Sequence, residues 1–363
     1  MTPKPPPAPP RRLPPTRAQV VIGGLTLFYA GFLFWLWDAI VAGPERSWFV
    51  NASLYIPQFF WAIPCLMLFL AAVYTRTKAK GRRNLWVGGT LLPMLIVFGP
   101  LMGLRGFPSP AQPIVKLSGK PLKVMTYNIA QGKNLPGFLG IIRQEEPDVL
   151  LVQELGGQAE SMLHSWFPDW NVKSNGEFLI ASRFPISQFE RVELPKLVDD
   201  PWKRPAYVRV VAQLDDKTEV AIYNTHLSTP RPALAAMKER KVGSTADLES
   251  NSSTRMYQAH QLAEALRKEK LPYVLGGDFN APEPSMACRQ IFLAHARNAF
   301  SEAGKGYGYT SGHALRFGMS FVRSDHIFVS KHWAVEECQP GDKSGSDHRP
   351  MIATLKLANT ESE

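Results

Sequence analysis

Three apolar stretches in the first hundred residues limit what this chain can fold into more than any other feature. Val20–Trp37 carries no charge, Trp48–Tyr74 holds only mild polar residues such as Asn51, Ser53 and Gln58, and Leu85–Leu104 contains Pro93, Pro100 and several glycines. Each is close to the ~20 residues a helix needs to cross the bilayer core. Proline and glycine are tolerated in such helices because neighbouring groups satisfy the freed backbone. Three spanning helices are therefore expected. A cleaved signal peptide does not fit, since the first stretch is too long and two more follow it.

Charge and cysteine usage organise the rest. The net charge is +10, but the first 105 residues hold eleven Lys and Arg against only Asp38 and Glu45, which leaves the remainder close to neutral. The excess flanks the membrane-type part, so bulk charge lends no support to a DNA-tracking surface on the second half. The connection Thr75–Asn84 carries five cations, whereas the one between the first two stretches has Arg46 as its single cation. By the positive-inside rule the basic connection and the basic N-terminus face the cytoplasm, and three crossings deliver everything after Leu104 outside it. The chain is thus expected to divide into a disordered proline-rich tail (1–17), a three-helix transmembrane anchor (18–105), a linker (106–120), a folded domain (121–358) and a short tail (359–363). Three cysteines are too few for a disulfide framework, and with Cys65 in an apolar stretch only Cys288 and Cys338 are left as a possible pair.

In the second half, short strands alternate with amphipathic helices, the mark of a layered α/β or α+β domain. Its most informative corner is Leu275-Gly276-Gly277-Asp278-Phe279-Asn280-Ala281-Pro282, which follows a short apolar strand-type run. Asp278 and Asn280 lie two apart and point to one side, and the glycines leave the backbone open to close approach by a ligand. Other strands end similarly. The strand from Pro121 ends on Asn128, that from Pro147 on Glu154, and a hairpin around Asp215-Asp216-Lys217 exits on His226. Asp325 opens the strand Ser324–Ser330, and Asp347-His348 precede the last strand, Met351–Leu357. A helix over Thr254–Lys270 places Met256, Ala259, Leu262, Ala263 and Leu266 on one face, flanked by Arg255 and Gln258. Each polar position alone fits a plain strand end or Asx turn. Together, hard oxygen ligands with few imidazoles suit Mg²⁺ or Mn²⁺ rather than zinc. Two histidines with carboxylate partners suit protonation or anchoring of a phosphoryl oxygen. No nucleophilic Ser or Cys motif is visible, so direct attack by water is expected.

In order and wording the blocks MTYNI, VQEL, SRFPI, NTHLS, GGDFNAP, SDHIFVS and SDHRP, spread over residues 121 to 357, resemble the endonuclease/exonuclease/phosphatase (DNase I-like) superfamily. That superfamily includes DNase I-like nucleases, AP endonucleases, neutral sphingomyelinases and inositol-polyphosphate 5-phosphatases. The resemblance implies a four-layer α/β (α+β) sandwich, two packed β-sheets flanked by helices, here preceded by the three transmembrane helices. It also implies roles. Glu154 would be the main metal ligand, with Asn128 and Asp347 in or near the metal's shell. Asp278 would orient or deprotonate the attacking water, while Asn280 and His226 hold the phosphate. His348, paired with Asp325, would contact the scissile phosphate and stabilise charge in the in-line transition state. Arg255, Gln258 and His326 are read as structural support.

Two departures narrow the expectation. Ala130 stands where some members carry a second acid, which speaks against a second metal, and His226 stands where AP endonucleases typically use tyrosine. Pro230–Ser253, with Arg231, Lys238, Arg240 and Lys241, is an insertion expected near the mouth of the site. The leading expectation is a membrane-anchored, Mg²⁺- or Mn²⁺-dependent phosphoesterase working outside the cytoplasm. It would cleave phosphate ester or anhydride bonds of a lipid-linked substrate, with the bilayer and that substrate as its partners. An extracytoplasmic nuclease acting on DNA or RNA comes second. A catalytically inactive binding or sensor domain comes last, because every catalytic-type position is filled.

Overall fold

The computed structural model describes residues 15–77, 85–106, 117–196, 205–312 and 318–358. Most of the proline-rich tail, of the basic connection and of the expected linker, and the C-terminal tail, lie outside the described residues. The chain forms two compact units, one from residues 1–39 and 58–103, the other from 40–57 and 104–363.

In the first unit, the helix Arg17–Ala42 and the stretch Gln58–Thr75 are long and apolar enough to cross a bilayer, with mean hydropathies of 1.8 and 1.7. Leu27, Phe28, Met67 and Leu70 lie exposed on them. The third stretch departs from expectation. It forms the short helices Leu85–Gly89 and Leu92–Ile96 and a π-helical turn, Val97–Leu101, so two continuous spans stand where three were expected. Pro93 and Pro100 each lack an amide hydrogen, and Gly88, Gly89 and Gly99 lower helix propensity, which breaks the ladder. The second stretch also breaks. Trp48–Ser53 is a separate short helix, and a turn leads through Pro57, which disfavours helical backbone at the residue before it.

The second unit is built on two six-stranded mixed sheets. The first contains β1 (Leu117–Asn128), β2 (Val149–Gln153), β3 (Asn171–Asn175), β4 (Phe178–Ser182), β11 (Trp333–Pro340) and β12 (Met351–Ala358), in the order β11-β12-β1-β2-β4-β3. The second contains β5 (Ile186–Glu193), β6 (Ala206–Asp215), β7 (Thr218–His226), β8 (Tyr273–Asp278), β9 (Arg297–Asn298) and β10 (Asp325–Val329), in the order β5-β6-β7-β8-β10-β9. Between the sheets, Val124, Leu151 and Ile180 of the first share a core with Val208, Ile222, Val274 and Ile327 of the second. The helix Leu135–Glu145 covers the outer face of the first sheet with Phe138, Leu139 and Ile142. Ser244–Lys268 and Met286–Leu293 cover the second with Ala259, Leu262, Leu266 and Ile291. The result is the expected four-layer sandwich, each sheet burying one face against its neighbour and the other under helices.

Two details differ from the sequence reading, and a third, the state of the cysteines, is left open by it. The helix expected over Thr254–Lys270 starts ten residues earlier, so Pro230–Ser253 is largely helical, with Arg231–Lys238 as a helix of its own. Cys65, Cys288 and Cys338 are all free and buried. The paired glycines face protein instead of ligand. A Cβ on Gly276 would stand 2.5 Å from Leu151 Cδ1, and Gly277, at φ +156, lies against the Thr225 carbonyl. Their smallness is what lets β8 approach the opposite sheet and its neighbour β7.

Candidate active site

Parallel pairing places strand exits side by side. β1 runs parallel to β2, and β7 to β8, with His226 opposite Asp278, while antiparallel β10 begins with Asp325 opposite Asp278. Three polar groups are thereby buried at one sheet end: Asp278, Asp325 and, from the loop before β12, His348. His348 Nδ1 lies 2.8 Å from Asp325 Oδ2, and His226 Nδ1 lies 2.8 Å from Glu177 Oε2. With Nδ1 donating to a carboxylate in each ring, both Nε2 atoms turn toward Asp278 Oδ2, at 3.8 Å from His348 and 3.7 Å from His226. Asp278 also accepts from the Asn280 amide at 2.8 Å and from Asn128 Nδ2 at 3.0 Å.

Electrostatics follow from this packing. Burial pushes the Asp278 carboxyl up, but the imidazoles of His348 and His226 and the two amide donors hold it below its usual value. Burial pulls both histidines down, and carboxylates more than reverse that. Asp325 and Asp278 raise His348 to about 9, and Glu177 raises His226 to about 9. Asp325 is raised, by burial first and by the nearby Asp278 charge. Two acids and two imidazoles this close hold their protons as a set.

The remaining expected residues gather at the rim. Asn128 Nδ2 donates to Glu154 Oε1 at 3.1 Å, its Oδ1 accepts from the Ala130 amide, and its carbonyl accepts from Ser346 Oγ at 2.7 Å. Ser346 Oγ also reaches Asp347 Oδ1 at 3.3 Å, which ties the Asp347-His348 turn to the end of β1. Asp347 Oδ2 is 3.6 Å from Arg231 Nη2, both side chains about two-fifths exposed. Asn280 donates from Nδ2 to the Leu227 carbonyl at 3.0 Å. Glu154 and Asn280 both adopt left-handed backbone at φ +49, uncommon for residues other than glycine and a recurrent feature of functional sites. All eight residues expected from the sequence therefore meet around one corner of the sandwich.

Supporting residues fall where expected. Arg255 donates to the Ser228 carbonyl and to Tyr55 Oη, and Gln258 bonds both the amide and hydroxyl of Ser228, so both brace the turn after His226. His326 points away from the centre, donating from Nε2 to the Ala281 carbonyl at 2.9 Å and accepting at Nδ1 from Asn298. Burial, with the Arg323 charge beside it, lowers His326 to about 3. Two neighbours have no signal in the sequence. Glu177 reads there as the first residue of a strand, and its partnership with His226 arises only when β7 is laid beside the β3–β4 turn. Tyr55 reads as part of an apolar stretch, yet its hydroxyl lies 3.2 Å from the Asn280 carbonyl.

A polar cleft of about 840 Å³ opens over the corner, lined by Glu154, Glu177, His226, Arg191 and Arg231 among others. Asp278, Asp325 and His348 each offer an atom within 4.8 Å of the others and form a cluster able to hold a metal ion. Asp325 bonds His348, whose Nε2 lies 3.8 Å from Asp278, and all three side chains are nearly buried, whereas Glu154 and Asp347 present hard carboxylate oxygens to the open side. An ion that keeps several waters and takes one or two carboxylates fits the rim better than the buried cluster.

The description of the endonuclease/exonuclease/phosphatase family matches residues 125–348, which contain every one of these positions. The chain belongs to this family. No curated protein matches it in sequence. Among solved structures it is similar to a family member from Bacteroides vulgatus (17% identity, covering 66% of this chain and 100% of that one, TM-score 0.52). It is also similar to a mannosyl-6-phosphatase of Bacteroides thetaiotaomicron (18%, 64% and 99%, 0.51) and to D. rerio TDP2 complexed with a single-strand DNA product (14%, 65% and 99%, 0.51). At these identities the likeness is one of fold. Members of the family are hydrolases of phosphate esters, and this sandwich is theirs.

Proposed function

We propose that the chain is a membrane-anchored, divalent-metal-dependent phosphoesterase that cleaves its substrate by direct attack of water. The observation that carries this reading is the convergence of two carboxylate-held imidazoles and an asparagine amide on one buried carboxylate, Asp278, behind His226 in the wall of a polar cleft. Asp278, held ionised by its neighbours, orients the water and accepts its proton. His348, fixed by Asp325, and His226, fixed by Glu177, present Nε2–H donors to phosphoryl oxygens and stabilise charge that grows in the transition state. Asn280 positions the same phosphate. Mg²⁺ or Mn²⁺, held by Glu154 with Asp347 and Asn128, would neutralise phosphoryl charge as a Lewis acid. Asn128 supplies an oxygen to such an ion only with its amide turned, since Nδ2 now faces Glu154.

A location outside the cytoplasm is supported by the second unit itself. Residues 40–57, between the two apolar helices, belong to the same compact unit as the catalytic strands. Asn51 donates to Ser252, Glu45 accepts from the Met286 amide and Tyr55 bonds Arg255. A segment between two crossings shares a membrane face with the downstream domain only if the chain crosses once more, through the broken stretch 85–104. A nuclease is the second reading, favoured by Lys133, Arg191 and Arg231 along the polar cleft, which suit a phosphate backbone.

The test uses the full chain in detergent. Phosphate release from soluble esters and nucleotide release from DNA are measured with Mg²⁺, with Mn²⁺ and with chelator, in wild type, Asp278→Asn and His348→Ala. Metal-dependent release, reduced about 10²- to 10⁴-fold in both variants, is expected. Equal turnover in wild type and variants would remove the mechanism, and protection of the domain from protease in intact cells would overturn its location.

A further inference from the structure

Beside the polar cleft lies a second cavity of different character. It measures about 330 Å³, and Tyr55, Pro230, Leu234, Ala235, Phe321 and Val322 supply its apolar lining. Its polar wall is self-satisfied, since Ser311 Oγ bonds Ser324 Oγ at 2.9 Å and Ser324 Oγ reaches Asp325 Oδ2 at 3.1 Å. Arg231 lines both the cavity and the cleft, and Asn280, whose amide bonds Asp278, lines the cavity. Tyr55 is fixed as a wall by the Asn280 carbonyl on one side and Arg255 on the other.

We propose that this cavity receives the hydrocarbon arm of an amphipathic phosphate ester or pyrophosphate whose phosphate lies at Asp278, an inference that rests on the phosphoesterase reading of the same site. Charge and polarity match such a molecule along its length. The Arg231 guanidinium, a planar fork suited to phosphate, stands at the junction, with Lys238 on the cavity side. Beyond them the described lining is mainly apolar, with the Ser311 and Ser324 hydroxyls bonded to each other, so a hydrophilic arm would lose its water with little replacement. An alkyl or prenyl arm loses nothing there and buries apolar area.

The experiment measures kcat/KM of the full chain for a series of alkyl phosphates from methyl to octyl, held below their micelle-forming concentrations. Burial of about 0.8 kcal/mol per methylene predicts a gain of about fourfold per added carbon until the cavity is filled. Ala235→Trp, at an exposed helical position, fills the cavity, and Leu234→Ser makes its lining polar. Each is expected to lower the octyl-to-methyl ratio at least tenfold, and because the ratio is internal to each variant it is independent of the active fraction. A wild-type ratio near one, or the same ratio in both variants, overturns the proposal. So does a preference for nucleotide over alkyl esters that the two variants abolish, which would assign the cavity to a base. Cleavage of the octyl ester in phosphatidylcholine vesicles would identify a bilayer lipid as the source, and cleavage of the monomer alone a free amphiphile. Failure of the underlying reading looks different: no ester is cleaved, or cleavage survives Asp278→Asn.

Discussion

The buried floor of the site and its open rim are made of the same chemical groups and are held in opposite ways. Asp278, Asp325 and His348 are at most 1% exposed and lie against one another, with Asp325 bonded to His348, whereas Glu154 is only half-buried and the Asp347 side chain is 41% exposed. A buried acid is stable only with its partners in place, because an isolated charge out of water is strongly penalised. A rim acid has water as an alternative partner and is available to a cation or a phosphate. The floor is therefore tied to the stability of the fold, and the rim to binding.

Breaking the floor should have the largest effect. Asp325→Ala leaves His348 as a buried imidazole without its carboxylate, so stability falls by about 3–5 kcal/mol along with activity. Chemical denaturation of wild type and variant measures it, and a loss below 1 kcal/mol would erase the contrast between floor and rim. Glu154→Gln sharpens the contrast from the other side. Its melting temperature should stay near wild type, while the Mg²⁺ or Mn²⁺ concentration for half-maximal activity rises about 10- to 100-fold, by analogy with the loss of a metal-supporting group. Calorimetric metal titration and thermal melts together decide this, and a large drop in melting temperature would place Glu154 with the floor.

The effect that is smallest at neutral pH, and grows only in acid, is the titration of His326, buried like the floor but turned away from it. Its value lies near 3 in the folded chain against 6.5 ordinarily, so the neutral ring carries the stability. That contribution is complete above pH 6.5 and is lost as pH falls toward 3, at about 1.4 kcal/mol per pH unit for one proton. Denaturation of His326→Gln across pH 6 to 4 should show a flatter profile than wild type. An unchanged slope would mean that other groups set the acid sensitivity.

Much of this was legible from strand ends. Side chains alternate with period 2, so an acid or amide closing an apolar run must sit at an edge of the sheet. Asn128, Glu154, His226 and Asp278 were found on that ground and do meet. The helical extent of Pro230–Ser253 is not legible because Arg231–Lys238 is short and the polar stretch Ser244–Ser253 gives no clean apolar stripe. The third apolar stretch reads as one helix because spanning helices tolerate proline, and only the structure shows Pro93 and Pro100 dividing it into short helical pieces. Gly276 and Gly277 were assigned to a ligand because the strand lying against them belongs to a different part of the chain.

Local order along the chain thus determined which residues are polar at strand exits, which stretches are apolar enough for a bilayer, and the layered alternation of strand and helix. Only the tertiary structure decided which exits face each other, that Glu177 and Tyr55 support the corner, and that an apolar cavity adjoins the polar cleft. Those relations join residues 49 and 225 positions apart. They exist through sheet packing and the docking of a segment lying between two apolar helices, and no periodicity within one stretch of sequence encodes a contact of that range.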